Sequence, residues 1–281
     1  MKKTALLWVF ALLITMLSGC GVQSNKADIA ATTLPVYQFT SILCQGTGLQ
    51  VTRLVTENVS CLHDYSLNTN QVRAVKKADL VVISGAGLEN FMSDLLEGKN
   101  IIDSSKDIPL LDSCHDEAHE GHYHEKDPHI WLSVTNAIQM AKNIYYGLCQ
   151  AYPAHKDTLQ TNMTKLMDQL RELDTYARLQ LTDLSCRELV SYHDGFSYLA
   201  DGYGLTVSAT MEESTTEVLT ELVRTHHLPG IFMEKNGPDT LAKTIAAEAG
   251  VNLYILDTTI SGDDYFAAMR RNIDTLRDAL H

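Results

Sequence analysis

Several signatures that would name a chemistry are missing from this chain of 281 residues. There is no H-E-x-x-H, no G-x-S-x-G and no Walker loop, so the commonest zinc-peptidase, α/β-hydrolase and nucleotide-hydrolysing readings lose their support. There is no C-x-x-C, which removes zinc ribbons and thioredoxin-like redox motifs. Basic residues are scarce: 22 Lys and Arg stand against 35 Asp and Glu, a formal charge of −13. That balance argues against a nucleic-acid partner and leaves no basic patch for anionic lipid. No tandem repeat is visible, and the apolar run at residues 4–17 is too short to span a bilayer comfortably.

What that run does match is a leader. Lys2 and Lys3 precede it, and Leu17-Ser18-Gly19-Cys20 closes it, the layout of a secretion signal. The four closing residues resemble a bacterial lipobox, in which the cysteine is lipidated and becomes the mature N-terminus. The expectation is a leader at 1–20, a tether at 21–27 and export, with membrane attachment only through lipid on Cys20. Losing Lys2 and Lys3 but no acid would take the charge from −13 to −15. Beyond Cys20 stand Cys44, Cys61, Cys114, Cys149 and Cys186, an odd number that leaves at least one thiol unbridged and the pairing open. Cys61 and Cys114 lie close to histidines and could be soft accessory ligands, although buried inert cysteine is the plainer reading.

Apolar residues make up 45 % of the chain, enough for a sizeable core, and the length suits two lobes. Strand-like runs at 28–33, 51–55 and 79–84 alternate with helical patterns at 35–43, 71–77 and 88–96. This is the rhythm of βαβ units and a parallel sheet. A helix over 133–150 follows. Pro153 then opens a longer one, with Leu159, Met163, Leu166, Leu170, Leu173, Ala177, Leu181 and Leu184 at spacings of three and four. That stripe reads as core packing along a connector. The alternation then resumes: strands at 188–192, 205–209, 231–234 and 251–256, and helices at 196–203, after a Ser214 cap with Glu217 three residues on, at 238–249, and from about 263 onward. The expected architecture is α/β, with an N-terminal lobe at 28–150, a linker helix at 151–185 and a C-terminal lobe at 186–281.

Metal chemistry enters with the stretch HDEAHEGHYHEKDPHIW at 115–131, which holds five of the eleven histidines among several acids. Imidazole favours zinc and other borderline transition metals. A solvated, incidentally His-rich loop is the plain alternative. Outside the tract, His63, His193 and Asp257 each follow a strand candidate; at its end, His129 precedes a helix. In open α/β sheets, ligands collect beyond the carboxyl ends of strands, so a cleft between two lobes could gather all four. Three imidazoles and one carboxylate would complete a tetrahedral zinc shell. A lone histidine at a strand end is more often structural, and spacing alone does not decide. Glu234 also ends a strand and could replace Asp257.

The flanking residues add a resemblance. His63-Asp64-Tyr65, Asp127-Pro128-His129-Ile130-Trp131-Leu132-Ser133, His193-Asp194-Gly195-Phe196-Ser197-Tyr198 and Asp257 ahead of Tyr265 and Asn272 occur in one order. Together they resemble the zinc/manganese solute-binding lipoproteins of bacterial ABC importers, the ZnuA-like group, over essentially the whole mature chain. The resemblance implies two α/β lobes joined by one long rigid helix. Metal would lie in the cleft on His63, His129, His193 and Asp257, and a monomer would pass it to an ABC permease and its ATPase subunit. Histidine at position 193 points to Zn(II) over Mn(II). It also implies that His115, His119, His122 and His124 form an accessory capture loop within 115–126, and that Glu234 is structural. Two departures stand out: Val134 where such proteins usually have proline, and Thr258-Thr259 where Pro-Leu is frequent.

Two other functions remain: a surface adhesin or metal-storage lipoprotein of the same fold, and a secreted zinc hydrolase with Asp257 or Glu234 as base. Four protein ligands argue against the hydrolase, because hydrolytic zinc keeps a position open for water. Protons compete with metal at imidazole, so metal affinity should fall as pH drops through about 6.5. A competitive zinc titration at neutral and mildly acidic pH checks this; equal affinities would exclude a histidine-dominated site.

Overall fold

Short aliphatic runs make the strands and amphipathic stretches make the helices, alternating within each half. The computed structural model describes residues 28–62, 65–113 and 126–281. The expected leader and tether with Cys20, the pair His63-Asp64, and residues 114–125 with Cys114 and the four tract histidines His115, His119, His122 and His124 lie outside the described residues.

The first half is a four-stranded parallel sheet of β1 (Ile29–Ala31), β2 (Val51–Arg53), β3 (Leu80–Ile83) and β4 (Asn100–Asp103), in the order β2-β1-β3-β4. Helices α1 (Leu34–Leu43) and α2 (Thr69–Lys77) cross between strands; a 3-10 turn at Leu88–Met92 runs into the single turn α3 (Ser93–Leu96). β4 was not legible in the sequence. It is an edge strand of four residues with only Ile102 buried, so it carries no apolar run to read.

The second half repeats the pattern. β5 (Glu188–Ser191) pairs in parallel with β6 (Thr206–Thr210), and β7 (Gly230–Glu234) with β8 (Asn252–Leu256). β5 packs beside β7. Helices α6 (Ser197–Gly202), α7 (Thr216–Thr225), α8 (Thr240–Ala249) and α9 (Tyr265–Leu280) complete it. The cap of α7 corrects the sequence reading. Thr215, not Ser214, is the N-cap, its hydroxyl accepting from Val218 N at 3.4 Å, so Glu217 falls one position short of closing a capping box. A capping box does form at α2, where Asn68 Oδ1 accepts from Gln71 N at 3.1 Å and Gln71 Oε1 accepts from Asn68 N at 2.7 Å.

Between the halves run α4 (Val134–Ala151) and the long α5 (Lys156–Gln180). At 25 residues, α5 is about 37 Å long. Its buried stripe is Leu159, Asn162, Met163, Leu166, Met167, Leu170, Leu173 and Ala177, continued by Leu181; Leu184 is only half-buried. Near its start, Asn162 Nδ2 donates to the carbonyls of Leu43 at 2.9 Å and Gln45 at 2.8 Å, closing the end of α1. Near its end, Tyr176 donates to Asp274 at 2.6 Å, and Glu172 pairs with Arg270 at 2.7 Å, both partners on α9. One apolar core therefore extends from Ile29 and Phe39 through Leu166 to Met269 and Leu280. A second core lies within the C-terminal half around Val190, Leu219 and Ile231.

Among the described residues no helix is long and apolar enough to cross a membrane. Cys44, Cys149 and Cys186 carry free thiols, and burial pushes the Cys44 thiol up to about 12, so it is an inert core residue. Leu166 is fully buried at the middle of α5. Leu166→Ala should cost about 3 kcal/mol and lower Tm by about 6–10 °C. Calorimetry showing a shift below about 2 °C would mean that this stripe does not bind the halves together.

Candidate metal centre

Three cross-lobe contacts bring the candidate residues into one place. The Trp131 indole N–H donates to Thr258 O at 2.8 Å, Tyr265 OH donates to Trp131 O at 2.7 Å, and Thr258 Oγ1 donates to Ser60 O at 2.7 Å. Tyr198 OH donates to Asp127 O and accepts from Leu111 N, both at 2.9 Å. Ser113 Oγ donates to Asp194 Oδ2 at 2.9 Å. The segment carrying His129 is thereby pinned against the second half, and the rings of His129 and His193 meet with centroids 5.0 Å apart.

Each imidazole has a buried carboxylate behind it. Asp127 Oδ1 lies 2.7 Å from His129 Nδ1 and also accepts from the His129 backbone N–H at 2.9 Å. Glu234 Oε1 contacts His193 Nδ1; Gly195 N also approaches that nitrogen, at 3.4 Å, too long to compete. His129 and His193 are 1 % and 3 % exposed, and Asp127, Asp194 and Glu234 are no more open, so the group is withdrawn from bulk water. A carboxylate on Nδ1 fixes the tautomer that offers Nε2 as a lone pair, the usual arrangement behind a metal-bound histidine. His129 Nε2 is buried with no protein partner, a polar atom that a metal would satisfy.

Burial alone would lower the pKa of His193, but the Glu234 hydrogen bond and charge outweigh it and hold the group up at about 9. A metal held by His193 would have to displace a proton over a higher pH range than at an ordinary imidazole.

One ligand atom each from His129, His193 and Asp194 lies within 4.8 Å of the others. Tetrahedral zinc with bonds of about 2.1 Å sets its ligands about 3.4 Å apart, so small side-chain rotations close this group. Of the four ligands expected from the sequence, the structure brings His129 and His193 together. His63 lies outside the described residues. Asp257 stands at the end of β8 but is turned to Lys235 Nζ at 2.9 Å, and it is not part of the close group. The sequence reading passed over Asp194 as a ligand candidate and Asp127 as the support of His129. The available signal was adjacency: each acid lies one or two residues from a candidate histidine. Glu234, weighed as a ligand, stands behind His193 here.

The histidine-rich stretch leaves and returns at one point. Asp112 and Lys126 form an isolated antiparallel bridge and an ion pair, and Asp127 N donates to Leu111 O at 2.9 Å. The described residues on either side of 114–125 therefore meet directly ahead of Asp127.

A family profile described as ZnuA, zinc-uptake complex component A, periplasmic, matches residues 29–279. The chain belongs to this family. ZnuA-family proteins are metal-binding transport components. The zinc-binding lipoprotein AdcA of Streptococcus pneumoniae is 30 % identical over 99 % of this chain, which spans 61 % of that relative's length. The high-affinity zinc uptake system protein ZnuA of Bacillus subtilis is 26 % identical, with 99 % of this chain and 98 % of that protein covered. Among solved structures, Zn(II)-bound AdcA from Streptococcus pneumoniae aligns with a TM-score of 0.76 at 28 % identity, over 91 % of this chain and 58 % of that one. A ZnuA crystal structure aligns with a TM-score of 0.79 at 24 % identity, over 91 % of this chain and all of that one, which shows the shared fold.

Gly195 follows the His193-Asp194 pair, and a β-carbon there would lie 2.4 Å from the His193 ring. The ring cannot easily yield, because Glu234 holds its Nδ1. Gly195→Ala should weaken zinc binding at least tenfold while shifting Tm by only a few degrees. Competitive titration with calorimetry checks this, and unchanged affinity would mean that His193 does not bind metal in this orientation.

Proposed function

We propose that this chain is the extracytoplasmic metal-binding component of an ABC importer, capturing Zn(II) between its lobes (28–150 and 186–281) and delivering it to a permease and its ATPase subunit. One observation carries the reading. Two buried imidazoles, one from each half, are each backed by a buried carboxylate on Nδ1, in a chain of the zinc-uptake family. His63 is proposed as the third imidazole and Asp257 as the carboxylate that completes the shell. Imidazole-rich ligation favours Zn(II), with Mn(II) the less favoured cargo; the Zn(II)-bound AdcA relative supports that choice.

A filled four-ligand shell leaves no position for an activated water, so the proposed role is binding and not catalysis. Tethering through Cys20 would keep the protein at the outer face of the membrane beside its permease, as the lipoprotein relative supports. The proposed state is a monomer. His115, His119, His122 and His124, in the sequence between Asp112 and Lys126, would collect zinc weakly ahead of the cleft.

The centre and the loop can be separated, because deleting residues 116–125 leaves the Asp112–Lys126 base in place. His193→Ala should lower zinc affinity by at least a hundredfold, and the deletion by less than about fivefold. Equal losses in a competitive titration would make the loop the main site and favour metal storage.

A further inference from the structure

A cation already holds the carboxylate assigned to complete the shell. β7 and β8 run in parallel with Glu234 opposite Leu256, so Lys235 and Asp257 are the first residues beyond adjacent strand ends, where neighbouring chains lie about 4.8 Å apart. Lys235 N donates to Leu256 O at 2.8 Å, which fixes that register. Glu234 turns inward to His193, whereas Lys235, half exposed, turns to Asp257. The Lys235 ammonium lies 2.9 Å from Asp257 Oδ2, and Arg271 stands 4.0 Å from the same oxygen. Asp257 Oδ1 accepts from Thr259 N at 2.9 Å, and the Asp257 backbone exchanges two hydrogen bonds with the Asn272 side chain, at 2.8 and 2.7 Å. Both carboxylate oxygens are therefore engaged, on a backbone anchored next to the strand that supports His193.

Resting on the zinc-binding reading above, we propose that Lys235 is a tethered competitor of the metal for Asp257: its ammonium holds the carboxylate when metal does not, and recaptures it on release. The chemistry is an exchange of cations around one anion. Asp127, Asp194 and Glu234 already crowd the centre, so a further carboxylate approaches it against repulsion unless a divalent ion is there to receive it. Lys235 gives Asp257 a neutralised position outside the close group. The Asp257 side chain is 13 % exposed, which screens the pair less than two fully open partners would be, while the Lys235 stem stays free to swing. The competitor lowers affinity and speeds dissociation, which a protein that must surrender its cargo requires.

The test is a double-mutant cycle on the full mature chain, with zinc as the probe, read by competitive titration and by the rate of zinc loss to a chelator. Lys235→Met, with Lys235→Gln as a second replacement, should tighten zinc binding about 2–5-fold, the scale of a partly screened ion pair, and slow dissociation to match. In an Asp257→Asn background the gain should vanish. A gain that persists there would be a general field effect of removing a positive charge, and would overturn the proposal, as would unchanged or weaker binding by the Lys235 variants. His193→Ala, run in parallel, separates the two readings: if it spares tight zinc binding, the centre itself is misassigned. If it abolishes binding and Lys235→Met has no effect, only the competitor role fails.

Discussion

The distance between two imidazoles from different halves depends on a continuous apolar seam. α5 buries one stripe against α1 and α4 at its start and against α9 at its end, so the halves share one core and do not swing on a loose linker. A domain interface of modest size would permit relative motion by default. Here the polar ties at Asn162, Glu172 and Tyr176 add register to a seam whose strength is hydrophobic.

Within that frame the electrostatics oppose one another productively. Burying His129 and His193 with several acids would be costly if every group were left to itself. Asp127 and Glu234 are matched to one ring nitrogen each, which orients the rings and leaves their other nitrogens facing a common space. A buried, preorganised nitrogen favours a metal that prefers imidazole; in the proposed centre a proton on His193 and the ammonium of Lys235 would oppose loading. Tight yet reversible binding can come from such opposition without large movement of the scaffold.

Much of the scaffold was legible along the chain. The stripe from Leu159 to Leu181 marked α5 because helical periodicity survives whatever the helix packs against. Strands β1, β2, β3, β5, β6, β7 and β8 were visible as short apolar or β-branched runs, and β5, β7 and β8 end beside residues singled out for metal. β4 was not, since an edge strand with one buried side chain has no apolar signature. The α7 cap was misplaced by one residue because Ser214 and Thr215 are equally good cap formers, and only the path of the chain chooses between them. Thr259 lies in the left-handed region at φ +57, and nothing in a Thr-Thr dipeptide announces that turn.

The sequence by itself determined the alternating α/β plan, the long connector, and a histidine-rich, acid-rich chemistry directed at metal, because these follow from local periodicity and side-chain type. Tertiary structure alone decided which acids serve which histidines. Asp127 and Glu234 stand behind the rings, Asp194 joins His129 and His193 in one close group, and Asp257 is held by Lys235. The physical reason is that a carboxylate's role depends on the nearest cation or N–H within a few ångströms, and those neighbours come from strands and lobes far apart in the chain.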